Sequence, residues 1–87
     1  MTASYSLRIK RTAEKELKAL PKKDLSRIVE KIQSLAENPH PPGHQKMSGR
    51  FQYRIRQGDY RILYTIDDGE RLVEIIKIGH RREVYRR

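Results

Sequence analysis

The sequence lacks cysteine entirely, and it lacks any hydrophobic run long enough to cross a bilayer. Without thiols the chain can form neither a disulfide nor a thiolate metal site, which fits a reducing compartment. A membrane-spanning helix takes about 20 consecutive apolar residues, so we expect no transmembrane segment. The opening stretch MTASYSLRIK also lacks the apolar centre of an export signal. These absences predict a cytoplasmic protein.

Acidic residues are scarce beside basic ones. Lysine and arginine number 20 against 11 aspartates and glutamates, which leaves a net charge of +9. Such an excess is typical of proteins that bind a polyanion, such as RNA, DNA, a ribosomal surface or an acidic protein. The alternative is a basic surface kept only for solubility. The position of the positive charge in the fold decides between the two.

The length of 87 residues leaves room for one domain, which we assign to residues 1–87. Apolar and charged residues each make up 36% of the chain. A composition this polar could indicate disorder, but the apolar residues recur with regular periods. The sequence therefore predicts a folded domain with a small core.

The first half of the sequence predicts one strand and a pair of helices. Residues 5–10 alternate as a strand does. Thr12 is the expected N-cap of the first helix, and Pro21 separates this helix from the second one and opens it. The second helix should end at Asn38-Pro39. Its apolar stripe comprises Leu25, Ile28, Val29, Ile32, Leu35 and Ala36.

The second half predicts a loop followed by three strands. Residues 39–49 contain three prolines and two glycines, so we expect no regular structure there. Gly58-Asp59 is a two-residue hairpin turn in which glycine supplies the positive φ. The last strand, residues 71–78, is apolar on both faces and should be central. The result is an α+β fold of order β-α-α-β-β-β, with a helical hairpin packed on one face of a small, mainly antiparallel sheet.

The predicted hairpin brings three arginines together on one face of the sheet. With the two-residue turn, Arg56 lies directly across from Arg61, and Arg54 lies one pair further along. Like charges directly opposite destabilise a sheet by up to about 1 kcal/mol, so selection for stability alone rarely places them there. The aromatic and aliphatic residues of both strands fall on the other face. The arginine face therefore predicts a site for an anion.

The tail of the chain adds candidates for acid–base chemistry. We expect Gly79 to turn the chain and to bring His80, Arg81 and Tyr85 to the arginine surface; in a helical turn the last two are i, i+4 neighbours. Arginine suits the forked recognition of phosphate but is a poor base, because its pKa exceeds about 12. Proton transfer therefore falls to Tyr85 and His80, and nearby positive charge should lower the pKa of Tyr85.

The predicted chemistry needs no metal and no other cofactor. The histidines at 40, 44 and 80 have no cysteine or close carboxylate companions, and no carboxylate pair is arranged for Mg²⁺. Metal-free cleavage of a nucleic acid points to RNA. The RNA 2′-hydroxyl is a built-in nucleophile, so positioning and charge stabilisation can suffice.

Three features of the chain point to a known family: the element order, the segment YRIRQGDYRILYTI (residues 53–66) and the segment IGHRREVYR (residues 78–86). In these features the chain resembles the RelE toxins of bacterial type II toxin–antitoxin systems. The resemblance implies a ribosome-dependent mRNA endonuclease that enters the A site, beside 16S rRNA, and cuts the exposed codon. The 2′-hydroxyl attacks the adjacent phosphate and leaves a 2′,3′-cyclic phosphate, or its opened 3′-phosphate, and a 5′-hydroxyl.

The resemblance also assigns roles to residues. Arg54 and Arg56 stand where family members often carry lysines, and arginine replaces a proton-transferring lysine poorly. We therefore expect the arginines to clamp phosphate. The implied catalytic residues are Arg54, Arg56, Arg61, His80, Arg81 and Tyr85. We add Lys46, Arg50 and Arg82 as RNA-binding residues.

The implied protein partner is a cognate antitoxin, with DNA contacted only through the antitoxin complex. Two other functions remain open. A ParE-like inhibitor of DNA gyrase would share the fold but would need no arginine cluster with a tail tyrosine. A non-catalytic RNA-binding module would expose aromatic rings for stacking. By alternation, however, the hairpin aromatics lie on the core face: Phe51, Tyr53, Tyr60 and Tyr64.

Overall fold

The structure, a computed structural model, describes residues 4–47 and 52–80. Its elements are β1 (Ser6–Ile9), α1 (Arg11–Lys18), α2 (Lys22–Glu37), β2 (Gln45–Lys46), β3 (Gln52–Gln57), β4 (Tyr60–Asp67) and β5 (Leu72–His80). The strands form one sheet in the order β1-β5-β4-β3-β2, in which only the β1–β5 pair is parallel among these described strands. The predicted α+β fold with a mainly antiparallel sheet is confirmed.

Helix α1 begins directly after β1, and helix α2 begins directly after Pro21. Lys10, not Thr12, is the N-cap of α1, and its carbonyl accepts from the Glu14 N–H at 2.8 Å. The expected Thr12 cap is therefore wrong, because the helix starts as soon as β1 ends. Pro21 precedes α2 as predicted, and Asn38 is the extended residue that ends α2. Neither helix of the described chain is long and apolar enough to cross a membrane.

The core lies between the helices and one face of the sheet. Ile28, Ile32 and Leu35 of α2 are buried there, together with Ala13 of α1. Each buried isoleucine or leucine side chain contributes about 1.5–3 kcal/mol from removal of apolar surface from water. The sheet supplies the other half of the core with Ile55, Ile62, Tyr64, Val73, Ile75 and Ile78. This packing defines a helix-facing side and an open side of the sheet.

The β3–β4 hairpin has the register that the sequence predicts. Arg56 pairs with Arg61, and Tyr53 pairs with Tyr64. Gly58 has a φ of 61°, the positive value that a two-residue hairpin turn requires and that a β-carbon would strain. The turn therefore determines which hairpin residues share a face.

The loop after α2 is more regular than predicted. The His44 N–H donates to the Pro41 carbonyl at 3.1 Å, and Gly43 has a φ of 90°. These are features of a type II turn with proline at the second position and glycine at the third. Gln45 and Lys46 then form β2 opposite Arg54 and Tyr53. The expectation of no regular structure in residues 39–49 is wrong for this part of the loop.

Strand β5 runs further than predicted. Gly79 pairs with Arg61 and His80 pairs with Tyr60, so the chain does not turn at Gly79. The expected turn is wrong because β4 extends back to Tyr60 and offers ladder partners up to His80. The strand is interior, between β1 and β4, but the middle strand of the described sheet is β4.

A side chain of α1 covers the edge of β5 beyond the end of β1. The β1–β5 ladder ends at the pair of Ile9 and Ile75. Further along β5, the Glu16 carboxylate accepts from the Ile78 N–H at 2.9 Å and contacts the Lys77 ammonium at 3.3 Å. Glu16 thus satisfies a backbone donor that a neighbouring strand would otherwise take.

Candidate active site

The arginines of the hairpin line a hollow of about 140 Å³ on the open side of the sheet. Residues two apart on a strand share a face, and directly paired residues of an antiparallel ladder share one too, so the hairpin register brings these side chains together. We name this hollow the arginine hollow. Its lining residues are Gly43, Gln45, Arg54, Ile55, Arg56 and Arg61.

The arginine hollow is strongly positive. Arg56 is exposed, Arg61 is half-buried, and the two lie directly opposite each other. Within residues 4–47 and 52–80, neither forms a salt bridge with a carboxylate. Among the described residues, the hydrogen bond of the Arg61 guanidinium is a long one of 3.5 Å to the Tyr60 carbonyl. Close like charges without a carboxylate partner favour an anion between them.

Gln45 holds the third arginine of the hollow. The Arg54 Nε–H donates to Gln45 Oε1 at 2.9 Å, and Arg54 Nη2 donates to the same oxygen. The sequence interpretation missed Gln45 because it treated the whole loop as irregular. The signal that could have found it is Pro-Pro-Gly-His, a type II turn sequence directly before two extended residues.

The structure does not bring His80 to the arginine hollow. His80 pairs with Tyr60 in the β4–β5 ladder, so both side chains face the helices, and their rings meet edge-to-face with centroids 5.9 Å apart. His80 lines a separate recess of about 370 Å³ that also includes Asp24, whose carboxylate accepts from the Tyr60 hydroxyl at 3.2 Å. The expectation of a shared surface is wrong because β5 continues and alternation places Gly79 on the arginine side.

The other predicted site residues divide into two groups. Lys46 pairs with Tyr53, so it lies on the helix-facing side at the exposed end of the sheet and not in the arginine hollow. The remaining four lie outside the described residues: Arg50, Arg81, Arg82 and Tyr85.

Four aromatic rings join the loop before β2 to the core. The Tyr64 and Tyr53 rings stack with centroids 5.9 Å apart, and the His44 ring stacks on Tyr53 at 5.3 Å. His40 completes the series, with its Nδ1 lying 3.3 Å from Nε2 of His44. Burial raises the pKa of the Tyr64 hydroxyl, which donates to the Pro39 carbonyl at 2.9 Å. The predicted core-facing positions of Tyr53 and Tyr64 are confirmed.

His40 and His44 are a close pair of potential metal ligands. The His44 Nδ1 lies 2.9 Å from the Pro41 carbonyl, which orients that ring. Across the part of the chain that the structure describes, no group of three or more histidine, cysteine or acidic residues is arranged to hold a metal ion.

A family model matches the sequence over the fold and the arginine hairpin. The model, described as "ParE toxin of type II toxin-antitoxin system, parDE", aligns with residues 7–85. Together with the helical hairpin on a mixed sheet, this match defines a toxin of a type II toxin–antitoxin system. The chain belongs to the RelE family of these toxins, within the RelE/ParE superfamily.

Similar proteins cover almost the full length of the chain. Toxin RelE of Mycobacterium tuberculosis is 40% identical over 86 residues, which span 94% of this chain and 87% of the relative. Toxin RelG of the same organism is 36% identical over 87 residues, spanning 95% of this chain and 98% of the relative. The archaeal RelE–RelB complex of Pyrococcus horikoshii OT3 contains a chain with 29% identity and a TM-score of 0.82, aligned over 93% of this chain and 99% of that chain.

Proposed function

We propose that this toxin is a ribosome-dependent mRNA endoribonuclease that cuts the codon in the A site and thereby stops translation and growth. The observation that carries the proposal is the arginine hollow, in which Arg54, Arg56 and Arg61 converge on one small space. A cluster of this kind suits the phosphate of an RNA strand, and its guanidinium groups donate in the forked geometry that phosphate oxygens accept.

The proposed reaction is an internal transesterification. The 2′-hydroxyl oxygen attacks the adjacent phosphorus, its proton leaves to a base, and the P–O5′ bond breaks while the leaving oxygen gains a proton. The arginines hold the phosphate and stabilise the extra negative charge of the transition state. The products are a 2′,3′-cyclic phosphate, which can open to a 3′-phosphate, and a 5′-hydroxyl. The chemistry needs no metal.

We assign the remaining catalytic roles to Arg81 and Tyr85, and we assign none to His80. Arg81 serves as a further phosphate clamp, and Tyr85 transfers the proton. His80 faces the helices next to Tyr60, so we assign it no proton transfer at this phosphate. Lys46, Arg50 and Arg82 contribute to RNA binding.

The proposed setting follows from charge and family. A net charge of +9 favours binding to the ribosome and its RNA in the cytoplasm. The P. horikoshii relative is a complex with RelB, and we propose a cognate antitoxin that covers the arginine hollow of this toxin. Contact with DNA would then occur only through the antitoxin complex.

Mapping of mRNA ends on ribosomes tests the activity. After brief expression of the toxin, we expect new 5′ ends within A-site codons of ribosome-bound message. Arg27→Ala is the matched control, because Arg27 lies on the exposed surface of α2 on the helix side. It should cut like the wild type. Intact A-site codons in wild-type cells would exclude the proposed function.

Substitutions in the site test the assigned residues. We expect Arg61→Ala and Arg81→Ala to relieve growth inhibition, since removal of one transition-state donor costs about 100- to 1,000-fold in kcat. Tyr85→Phe should weaken inhibition by removing the transferable proton. Circular dichroism should show a retained fold in each variant. Full toxicity in all three variants would refute the assigned site.

Inhibition of DNA gyrase is the second candidate, because the matching family model is described as a ParE toxin. In that case, the same cultures would contain intact message, and plasmid supercoiling would stall. Message cleavage and plasmid supercoiling are measured in the same cultures. Cut message with normal supercoiling supports the nuclease, and intact message with stalled supercoiling supports the gyrase inhibitor.

A further inference from the structure

We propose that Gln45 is a positioning residue of the arginine hollow, which holds the Arg54 guanidinium in the orientation that receives phosphate. This inference rests on the proposed function of the hollow as a phosphate site. It adds a neutral polar side chain of β2 to the three hairpin arginines that line the hollow.

Local structure delivers Gln45 to this position. The type II turn of Pro41–His44 reverses the chain, and Gln45 then enters β2 directly opposite Arg54 in the β2–β3 ladder. The ring of the preceding residue, His44, stacks on Tyr53, which anchors the loop on the helix side. Alternation turns the Gln45 side chain to the open side, where it lines the arginine hollow.

Two hydrogen bonds to one Gln45 oxygen fix the plane of the Arg54 guanidinium. Both Nε and Nη2 of Arg54 donate to the single oxygen Oε1 of Gln45. A side chain with several rotatable bonds loses freedom when two of its donors share one acceptor. Pre-orientation of Arg54 lowers the entropic cost of meeting a phosphate, and this benefit is realised only when the anion binds.

The chemistry of the acceptor matters as much as its place. A glutamate at position 45 could accept the same two hydrogen bonds, but its negative charge would cancel one of the positive charges of the hollow and repel phosphate. An amide oxygen orients the guanidinium and leaves the charge intact. A glutamine therefore fits an arginine that must be both fixed and available to an anion.

Arginine-selective NMR measures the contact directly. In the wild type we expect the Arg54 Nε–H proton to exchange with water several-fold more slowly than that of Arg56, because it is hydrogen-bonded to Gln45. Gln45→Met keeps side-chain length and net charge but removes the acceptor, so this difference should disappear. In Gln45→Glu the slow exchange should persist. An Arg54 Nε–H proton with the same exchange rate in wild type and Gln45→Met would overturn the proposal.

Titration with inorganic phosphate at low salt separates orientation from charge. Gln45→Met should raise the phosphate Kd about three- to tenfold through loss of the positioning contact. Gln45→Glu should raise it at least as much, although the Arg54 contact is retained. Gln33→Met and Gln33→Glu make the same chemical changes on the exposed surface of α2 and should stay within about twofold of the wild type. A wild-type Kd in Gln45→Met would count against a positioning role.

The phosphate affinities of the Gln45 variants test the role of Gln45 whether or not the toxin cuts message. If end mapping finds no cut message while both Gln45 variants lose phosphate affinity as described, the proposed function fails but the role of Gln45 stands. If wild-type message is cut and Gln45→Met binds phosphate and cuts like the wild type, the proposed function stands and the role of Gln45 is excluded.

Discussion

Arg56 and Arg61 lie across the β3–β4 ladder from each other without a carboxylate partner among the described residues. A pair of like charges in this position opposes folding while it attracts an anion. The same two side chains therefore lower the stability of the fold while they favour anion binding, a trade-off that is common at active sites.

Replacement of one arginine of this pair should make the protein more stable and less toxic. We expect Arg56→Gln to raise the free energy of unfolding by about 0.2–1 kcal/mol in urea denaturation, because the repulsion with Arg61 is removed. Growth inhibition should fall in the same variant. Arg27→Gln, on the exposed face of α2, should change neither quantity. A less stable Arg56→Gln protein would show that the pair does not repel.

Tyr64 should make stability fall at high pH. In the unfolded chain a tyrosine ionises near pH 10, whereas burial raises the pKa of Tyr64 in the fold. Above about pH 10 the unfolded state then binds fewer protons than the folded state, so the free energy of unfolding decreases as pH rises. Tyr64→Phe removes this contribution and should flatten the decline.

The Tyr64→Phe variant should also be less stable at neutral pH, by about 1–2 kcal/mol, because the buried Pro39 carbonyl loses its donor. Urea denaturation at neutral pH and at several values above 10 measures both effects. An equally steep fall in Tyr64→Phe would assign the alkaline loss to other groups.

At the scale of secondary structure, the end of β5 depends on α1 as well as on β4. The Glu16 carboxylate takes the Ile78 N–H two residues before the strand reaches His80. A carboxylate in this position also discourages another chain from pairing with the exposed strand edge. Helix α1 therefore supports the strand that leads into the proposed tail residues.

Loss of this support should lower the free energy of unfolding more than loss of an exposed ion pair on the same helix does. We expect Glu16→Ala to lower the free energy of unfolding by about 1.5–3 kcal/mol, the range for a hydrogen bond to a charged group. Glu16→Gln, which retains an acceptor, should lose less. Glu14→Ala removes the exposed pair with Lys18 and should cost under about 0.5 kcal/mol. Equal losses in Glu16→Ala and Glu14→Ala would contradict the role of Glu16.

Secondary structure was predictable where periodicity is strong. The α2 stripe and the hairpin register follow from the spacing of apolar residues and from the Gly58-Asp59 turn. Strand β2 was not predictable in this way, because two residues carry too little periodicity to be recognised. Its existence depends on the pairing with β3.

For the whole molecule, the net charge of +9 should dominate binding to nucleic acid. The logarithm of the association constant falls with the logarithm of salt concentration by about 0.7 per cation that neutralises a single-strand phosphate. The three arginines of the hollow are expected to account for about two units of this slope.

A triple Arg54→Ala, Arg56→Ala, Arg61→Ala variant should therefore reduce the slope for a single-stranded RNA oligonucleotide by about 2. Fluorescence anisotropy at several salt concentrations provides the measurement. The control removes three cations from the helix side, with Lys23→Ala, Arg27→Ala and Lys31→Ala, and should keep a slope closer to that of the wild type. Equal slopes in the two triple variants would indicate that RNA binds through diffuse charge alone.

The sequence by itself determined the basic character, the helical hairpin and the convergence of Arg54, Arg56 and Arg61, because charge, helical period and a two-residue turn are local properties. Only the tertiary structure decided that Gln45 meets Arg54 and that His80 faces the helices. The contact between Gln45 and Arg54 depends on the pairing of the two-residue strand β2 with β3. The orientation of His80 depends on how far β4 extends beside β5, and a shift of one residue in a strand reverses the face of every side chain.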